Sequence, residues 1–441
     1  MKNSACPGCR TGNPNKMVIL LISLAVLLIL GIPIAYAIGL SSLFFFALNH
    51  PDLVQILPQR MFAGFNSYTL IALPLFILMG FLMNEAGITA KLINFCQLFV
   101  GRFRGGLGLV NVGASMIFGG ISGSSTSDTA SVGSILIPEM ERRSYDRRFA
   151  AGITVASSTM GMIIPPSIPV VLYAVVAQES VGQLFLGGAI PGLMIGVFQL
   201  ITVTILARRY NYPREDIHPS FGEIAKETAL SIHVLMMPVL IVGIVVFGIA
   251  TPTESSAIGA LYAAVIGFAF TRRLTFPALW RAVNQTVMIS SKIMVIIALS
   301  QLYIYVLAIE RIPEAMTAYL VSLDLGPTAF MLIFGFIVLL IGTFIDVSPA
   351  ILLLTPIFLP TAVDIGVSPV QFGIVLVSGL AVGACSPPVG NCLNVCSAVS
   401  RLGIGPIFVG ALPFLAANVL TMVLCILFPA LVLWLPSLFM G

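Results

Sequence analysis

Gly161-Met-Ile-Ile-Pro165-Pro166-Ser167 and Gly383-Ala-Cys-Ser-Pro387-Pro388-Val389 each set two adjacent prolines inside a long apolar stretch, 222 positions apart in a chain of 441 residues. A proline in a helix interior removes a backbone hydrogen bond and clashes with the preceding turn, so a pair breaks the helix. Within a bilayer the freed backbone groups must line a polar cavity or bind something. The same break in both halves points to a duplicated transport site.

Composition fixes the class around these breaks. Of the residues 58% are hydrophobic and 9% charged, and mean hydropathy is +1.07, values that exclude a soluble globular domain and indicate a polytopic membrane protein. Apolar segments of bilayer length lie at 17–46, 62–84, 147–178, 185–207, 230–249, 254–271, 285–308, 371–398 and 404–438. The first run is too long for a cleavable signal sequence and is expected to be a retained span. Basic residues gather at Lys2/Arg10/Lys16, Arg102/Arg104, Arg142/Arg143/Arg147/Arg148, Arg208/Arg209/Arg214 and Arg272/Arg273/Arg281. Cytoplasmic clusters put the N-terminus inside and the C-terminus outside. Segment 105–140 has a cluster at both ends, so it is expected to enter, turn and leave on one side as a re-entrant hairpin.

The second half overlays the first at a spacing of 218 to 222. Gly39 falls on Gly259, Asp128 on Asp346, Pro138 on Pro356, the double prolines on each other, and Gly188-Ala-Ile-Pro191 on Gly410-Ala-Leu-Pro413. The span ending at Gly39 runs outward and its partner inward, so the repeats are inverted. The expected fold is an all-α polytopic membrane protein with two re-entrant helical hairpins and two broken transmembrane helices. Its expected divisions are a cytoplasmic tail (1–16), a first repeat (17–225; hairpin 105–140, broken helix 147–178), a linking helix (226–252) and a second repeat (253–441; hairpin 327–365, broken helix 371–398).

The first hairpin turns through Ser122-Gly123-Ser124-Ser125-Thr126-Ser127-Asp128-Thr129, six hydroxyl residues among eight. Glycine lets the backbone unwind, bared carbonyls suit a hard cation such as Na⁺, and helix N-termini with hydroxyl donors suit a carboxylate. Ser and Thr also knit transmembrane helices together at about 0.6 to 2 kcal/mol a contact. The density of this run favours a site. Asp128 and Asp346 stand at matching hairpin positions, where a carboxylate is costly; each reads either as a helix cap or as a cation ligand. Ser157 and Ser158 precede Pro165-Pro166 and Ser167 follows, while Ser386 precedes Pro387-Pro388 and Asn391 lies beyond. Gly342 and Thr343 approach the second hairpin turn, and Gly383 and Ala384 the second break. Each hairpin tip is expected to meet the opposing broken span near the midplane, giving two carbonyl-rich pockets with Na⁺ ions flanking one anionic substrate.

Other features carry less. Cys6-Pro-Gly-Cys9 has no second pair, and Cys385, Cys392 and Cys396 read as small hydrophobes within an apolar span. His50, His218 and His233 fall in loops or at a span end and read as interfacial. Segments 85–100 and 310–325 read as arms lying flat in the interface. His-Glu-x-x-His, Gly-x-Ser-x-Gly and Walker-type loops are lacking, and neither membrane aspartate lies in a Gly-x-Gly-Asp setting. Neither an enzyme nor an ATP-driven pump is expected, and no nucleic-acid partner.

Gly119-Gly-Ile-Ser-Gly-Ser-Ser125 with Asp128-Thr-Ala, then Ala151-Gly-Ile and Ile164-Pro-Pro-Ser-Ile-Pro169, resembles the large membrane subunit of tripartite ATP-independent periplasmic (TRAP) transporters over essentially the whole chain. The resemblance implies an elevator-type transporter in a bacterial inner membrane, driven by Na⁺ as coupling ion with no cofactor. It further implies a small four-helix membrane subunit on a separate chain, and a periplasmic binding protein delivering a C4-dicarboxylate, a sialic acid or another sugar acid. Carried over by motif, Ser122, Gly123, Ser124 and Ser125 help bind one Na⁺, and the regions around Gly342/Thr343 and Gly383/Ala384 another. The Cys6/Cys9 tail lies outside the family pattern. A stand-alone Na⁺-coupled dicarboxylate or citrate symporter, of similar architecture, is the alternative.

Overall fold

A computed structural model describes residues 14–214, 221–322 and 326–440. Cys6, Cys9, His218 and Asp324 lie outside the described residues. Among those described, every regular element is helical. The reason is physical: without water to bond exposed peptide groups, a helix satisfies its backbone internally. Seven described helices are long and apolar enough to cross a membrane by length and composition.

The first apolar run is two helices rather than the single span expected over 17–46. These are α1 (Pro14–Ile29) and α2 (Ile34–Asn49), packed against one another. Gly31, at φ 78°, ends α1 in a left-handed turn, and Pro33 lacks the N–H that would carry the helix through. Next come α3 (Leu57–Ala63), α4 (Ala72–Glu85) and a short arm, α5 (Ile88–Val100). The first hairpin is α6 (Gly106–Ser122) with α7 (Ser125–Arg142). The first broken helix is α8 (Arg147–Ser158) and α9 (Ile168–Ala177), followed by α10 (Val181–Arg209).

After α11 (Phe221–Val246) the pattern recurs. It runs through α12 (Pro252–Val265), α13 (Phe276–Ile309) and the arm α14 (Ile312–Ser322). A second hairpin, α15 (Pro327–Phe344) with α16 (Val347–Asp364), precedes a second broken helix, α17 (Pro369–Gly383) and α18 (Asn391–Ser400). The stretch 404–438, expected as one span, is split at Pro429 into α19 (Ile404–Leu427) and α20 (Ala430–Met440).

Packing partners come in exchanged pairs, as two inverted repeats require. Helix α4 packs on α12 while α2 packs on α13; α7 packs on α18 while α16 packs on α9; α8 packs on α19 while α17 packs on α10. The structure also corrects the register of the repeat. Ser124 and Asp346 are the N-caps of the second hairpin helices, and Pro138 lies as far inside α7 as Pro360 does inside α16, a constant spacing of 222 that the two breaks share. Asp128 therefore sits about one helical turn deeper than the position matching Asp346.

Three basic clusters meet at one end of the molecule. Arg214 Nε donates to the Arg102 carbonyl at 3.1 Å, Arg104 reaches Asn211 at 3.4 Å, and Tyr145 stacks on Tyr212 at 4.6 Å beside Arg142–Arg148. Arg281 pairs with Glu85 at 2.8 Å. At the other end His50 Nε2 approaches Glu310 at 3.5 Å.

Candidate functional site

The first hairpin tip is built from its hydroxyls. Gly123, at φ 63°, takes the left-handed conformation that reverses the chain, and Ser122 lies just before it. Ser122 Oγ donates to Asp128 Oδ1 and accepts from Ser124 N at 3.2 Å, while Ser124 and Thr126 hydroxyls meet at 3.1 Å. Asp128 is fully buried, and its Oδ2 has no hydrogen-bond partner among the described residues. A buried unpaired acceptor costs about 1–3 kcal/mol, more for a charged group, so it marks a place that a cation or proton would complete.

Each tip is sealed on the break of its own repeat. Gly123 O accepts from Ile168 N at 3.4 Å, just past Pro165-Pro166, and Thr343 O accepts from Val389 N at 3.1 Å, just past Pro387-Pro388. Both proline pairs contain a cis peptide. Packing is close beneath the tips: a methyl on Gly161 would lie 2.2 Å from the side-chain oxygen Asp128 Oδ2, and one on Gly383 would lie 2.5 Å from the backbone at Gly342 Cα. The expected meeting of each tip with the opposing broken span is joined by a contact within the repeat: backbone hydrogen bonds tie each tip to its own break, while the opposing span contributes the half-helix beyond its break, α18 on α7 and α9 on α16.

Several residues expected to bind substrate, and Thr343 expected to bind Na⁺, place their hydroxyls in hydrogen bonds within or between helices. Ser157 Oγ lies 2.9 Å from Ser115 Oγ and 3.1 Å from Asn111 Oδ1, and Ser158 Oγ accepts from Thr129 at 2.8 Å. Ser167 caps α9, accepting from Val170 N at 3.4 Å, and donates to the Met162 carbonyl. Ser386 Oγ bonds its own helix at Val382 O, 3.0 Å, and Thr343 Oγ1 does the same at Leu340 O, 2.7 Å. Ser125 is buried at the start of α7.

The second tip is open. Asp346, Pro387, Pro388 and Val389 are exposed, whereas Pro165, Pro166 and Ser167 are buried. Asp346 makes no capping bond; its Oδ1 accepts from Asn391 Nδ2 at 2.9 Å. Ala384 O accepts from Cys392 N at 3.1 Å, closing the second break. Away from the tips, a cavity of about 490 Å³ lies between loop residues Asn66, Ser67 and Thr69, the Gln178–Glu179 end of α9, and Gln301.

Sequence reasoning missed two sets of residues. Asn111, Thr154, Thr159, Gln199 and Asn418 form a buried polar net around α8, with Asn111–Thr154 at 2.7 Å, Gln199–Asn418 at 2.8 Å and Asn418–Thr159 at 2.9 Å. Lone amides in apolar spans were the available signal. Cys392, classed as a small hydrophobe, donates to Ser125 Oγ at 3.1 Å and joins the site directly.

Two hairpin tips sealed on two proline breaks in an inverted all-helical repeat define a transporter fold. The crystal structure of the YdaH transporter of Alcanivorax borkumensis shares it, with TM-score 0.64, 14% identity, and coverage of 96% of this chain and 99% of that one. Residues 21–431 match the family described as the tripartite ATP-independent periplasmic transporter, DctM component, and the chain belongs to that family. It is 34% identical to the sialic acid TRAP transporter large permease protein SiaM of Vibrio cholerae, over 94% of this chain and 97% of that protein. It is also 35% identical to the C4-dicarboxylate TRAP transporter large permease protein DctM of Pseudomonas aeruginosa, over 91% and 94%. The 2,3-diketo-L-gulonate large permease protein YiaN of Escherichia coli K12 is 32% identical over 92% and 95%.

Proposed function

We propose that this TRAP large permease couples the Na⁺ gradient to uptake of an organic anion across a bacterial inner membrane. The substrate class is a C4-dicarboxylate, a sialic acid or another sugar acid, as the names of the relatives suggest. In this reading a periplasmic binding protein delivers the anion and a small four-helix membrane subunit flanks the chain within the lipid. The reading divides the chain into a tail (1–16), two inverted repeats (17–225 and 253–441) and a linking helix (226–252). The hairpins and broken helices move as one body against a frame of α2, α4, α12 and α13, in an elevator stroke.

The observation that carries the proposal is the unpaired, fully buried Asp128 Oδ2 beneath a tip whose backbone is already unwound. Na⁺ held there by Asp128 and carbonyls of the Ser122–Ser125 turn would satisfy that oxygen and keep the tip closed. At the second tip the exposed break borders the path of the anion, where the ten-residue α18 presents its N-terminal end. Na⁺ bound near Thr343 and Asp346 would offset the repulsion between that carboxylate and the incoming anion.

The test is co-reconstitution in proteoliposomes, with uptake of labelled succinate and N-acetylneuraminate read under an inward Na⁺ gradient. Uptake should require Na⁺, the binding protein and the small subunit together. Full uptake by this chain alone would replace the tripartite reading with a stand-alone symporter. Transport that neither saturates nor responds to Na⁺ would replace it with a channel.

A further inference from the structure

We propose that Asn391 and Cys392 are positioning residues that couple the two hairpin tips, so that ion binding at one tip is felt at the other. The proposal rests on the Na⁺ sites proposed above. These neighbours open α18, behind Gly390 at φ 48°. They point to different hairpins: Asn391 Nδ2 donates to Asp346 Oδ1 of the second at 2.9 Å, and Cys392 Sγ donates to Ser125 Oγ of the first at 3.1 Å. The backbone between them is itself fixed, because Cys392 N donates across the break to Ala384 O at 3.1 Å.

The same face of the second break is tied to the first repeat elsewhere. Cys385 Sγ reaches Val155 O at 3.4 Å and Cys396 Sγ reaches Ala151 O at 3.6 Å, both on α8. Displacement of Ser125 as the first tip closes therefore reaches Asp346 through two consecutive residues. The device is one-sided. At the matching places, 222 positions earlier, stand Pro169 and Val170, whose side chains have no donor. One bridge is enough to make two ion sites cooperative, because a coupling free energy is reciprocal.

The test titrates NaCl against choline chloride at constant ionic strength, with thermal unfolding of the purified full chain as readout. Wild type should be stabilised along a sigmoidal Na⁺ curve with a Hill slope approaching ~2, the ceiling for two coupled sites. Asn391→Ala and Cys392→Ala should lower the slope toward ~1 and raise half-saturation about tenfold, while Cys392→Ser, which keeps a donor, should retain the wild-type curve. A wild-type slope near ~1, unchanged slopes in the alanine variants, or a loss shared by Cys392→Ser overturns the coupling. A wild type indifferent to Na⁺ removes the ion reading itself, a distinct outcome. Should the alanine variants not fold, Cys392→Val and Asn391→Leu, which lack a donor but keep the side-chain volume, take their place in the same titration. Slopes unchanged from wild type in these variants overturn the proposal.

Discussion

The two proline breaks differ most in what covers them. Pro165, Pro166 and Ser167 are buried under a tip whose hydroxyls bond one another and Asp128, whereas Pro387, Pro388 and Val389 are exposed beside an exposed Asp346. Duplicated backbone has thus been given unequal environments. The first half is a closed polar pocket with an unsatisfied carboxylate oxygen, suited to an ion without its hydration shell. The second half is open, suited to an anion arriving from solution. Inverted symmetry supplies two places to unwind a helix, and side chains decide what each place holds.

The strongest challenge to this comparison is steric. Gly161→Ala would set a methyl 2.2 Å from Asp128 Oδ2, and Gly383→Ala would set one 2.5 Å from backbone at Gly342. Overpacking of this kind costs about 1–3 kcal/mol. Uptake should fall to background in Gly161→Ala, because the displaced atom is the proposed ligand, and at least about tenfold in Gly383→Ala. Equal, mild losses would show that the two contacts only pack helices.

Next in size is charge removal at the two aspartates. Asp128→Asn keeps shape while removing the carboxylate proposed to hold Na⁺, and uptake should drop by roughly two orders of magnitude, in line with about 3 kcal/mol of lost ion binding. Asp346→Asn should raise the Na⁺ half-saturation only several-fold, since solvent screens an exposed carboxylate. Thiol accessibility probes the difference without touching either charge. In a background lacking reactive native cysteines, Val389→Cys should react with a hydrophilic thiol reagent at least about tenfold faster than Ser167→Cys, as their exposures imply. Similar rates would mean that both breaks open to the same degree.

Much of this arrangement was legible in the sequence because it is enforced by backbone chemistry. Paired prolines cannot sit in an unbroken helix, so the breaks at 165–166 and 387–388 follow from residue identity alone. The serine-rich run at 122–129 likewise announced a hairpin tip, although only Gly123 and Ser124 leave the helices and Ser125–Thr129, expected in the turn, open α7. The register was harder. Aligning Asp128 with Asp346 pairs like with like, but helix position depends on where the turn ends, and Ser124 holds the cap that Asp346 holds in the second copy. Which break a tip leans on is a tertiary fact that no local pattern encodes. Cys392 escaped notice because its role depends on Ser125, 267 positions away.

Smaller effects test the supporting structure. Asn418→Leu removes bonds to Gln199 and Thr159 and leaves Gln199 Nε2 with the Ala156 carbonyl at 3.0 Å as its remaining acceptor. It should lower stability by about 1–3 kcal/mol, read as thermal unfolding of the purified chain, with uptake changed less than about twofold. Ser386→Ala should be nearly silent, because that hydroxyl bonds only its own helix at Val382 O. A large loss of uptake there would place Ser386 against the substrate and move the anion path deeper into the second break.

The central claim is tested most directly by Na⁺-driven uptake in the reconstituted tripartite system, measured for wild type and Asp128→Asn with Na⁺ or choline outside. The account predicts uptake by wild type in Na⁺ alone, and loss of the Na⁺ response in the variant. Uptake by wild type that is equal in choline, or a variant that keeps the full Na⁺ response, would contradict it.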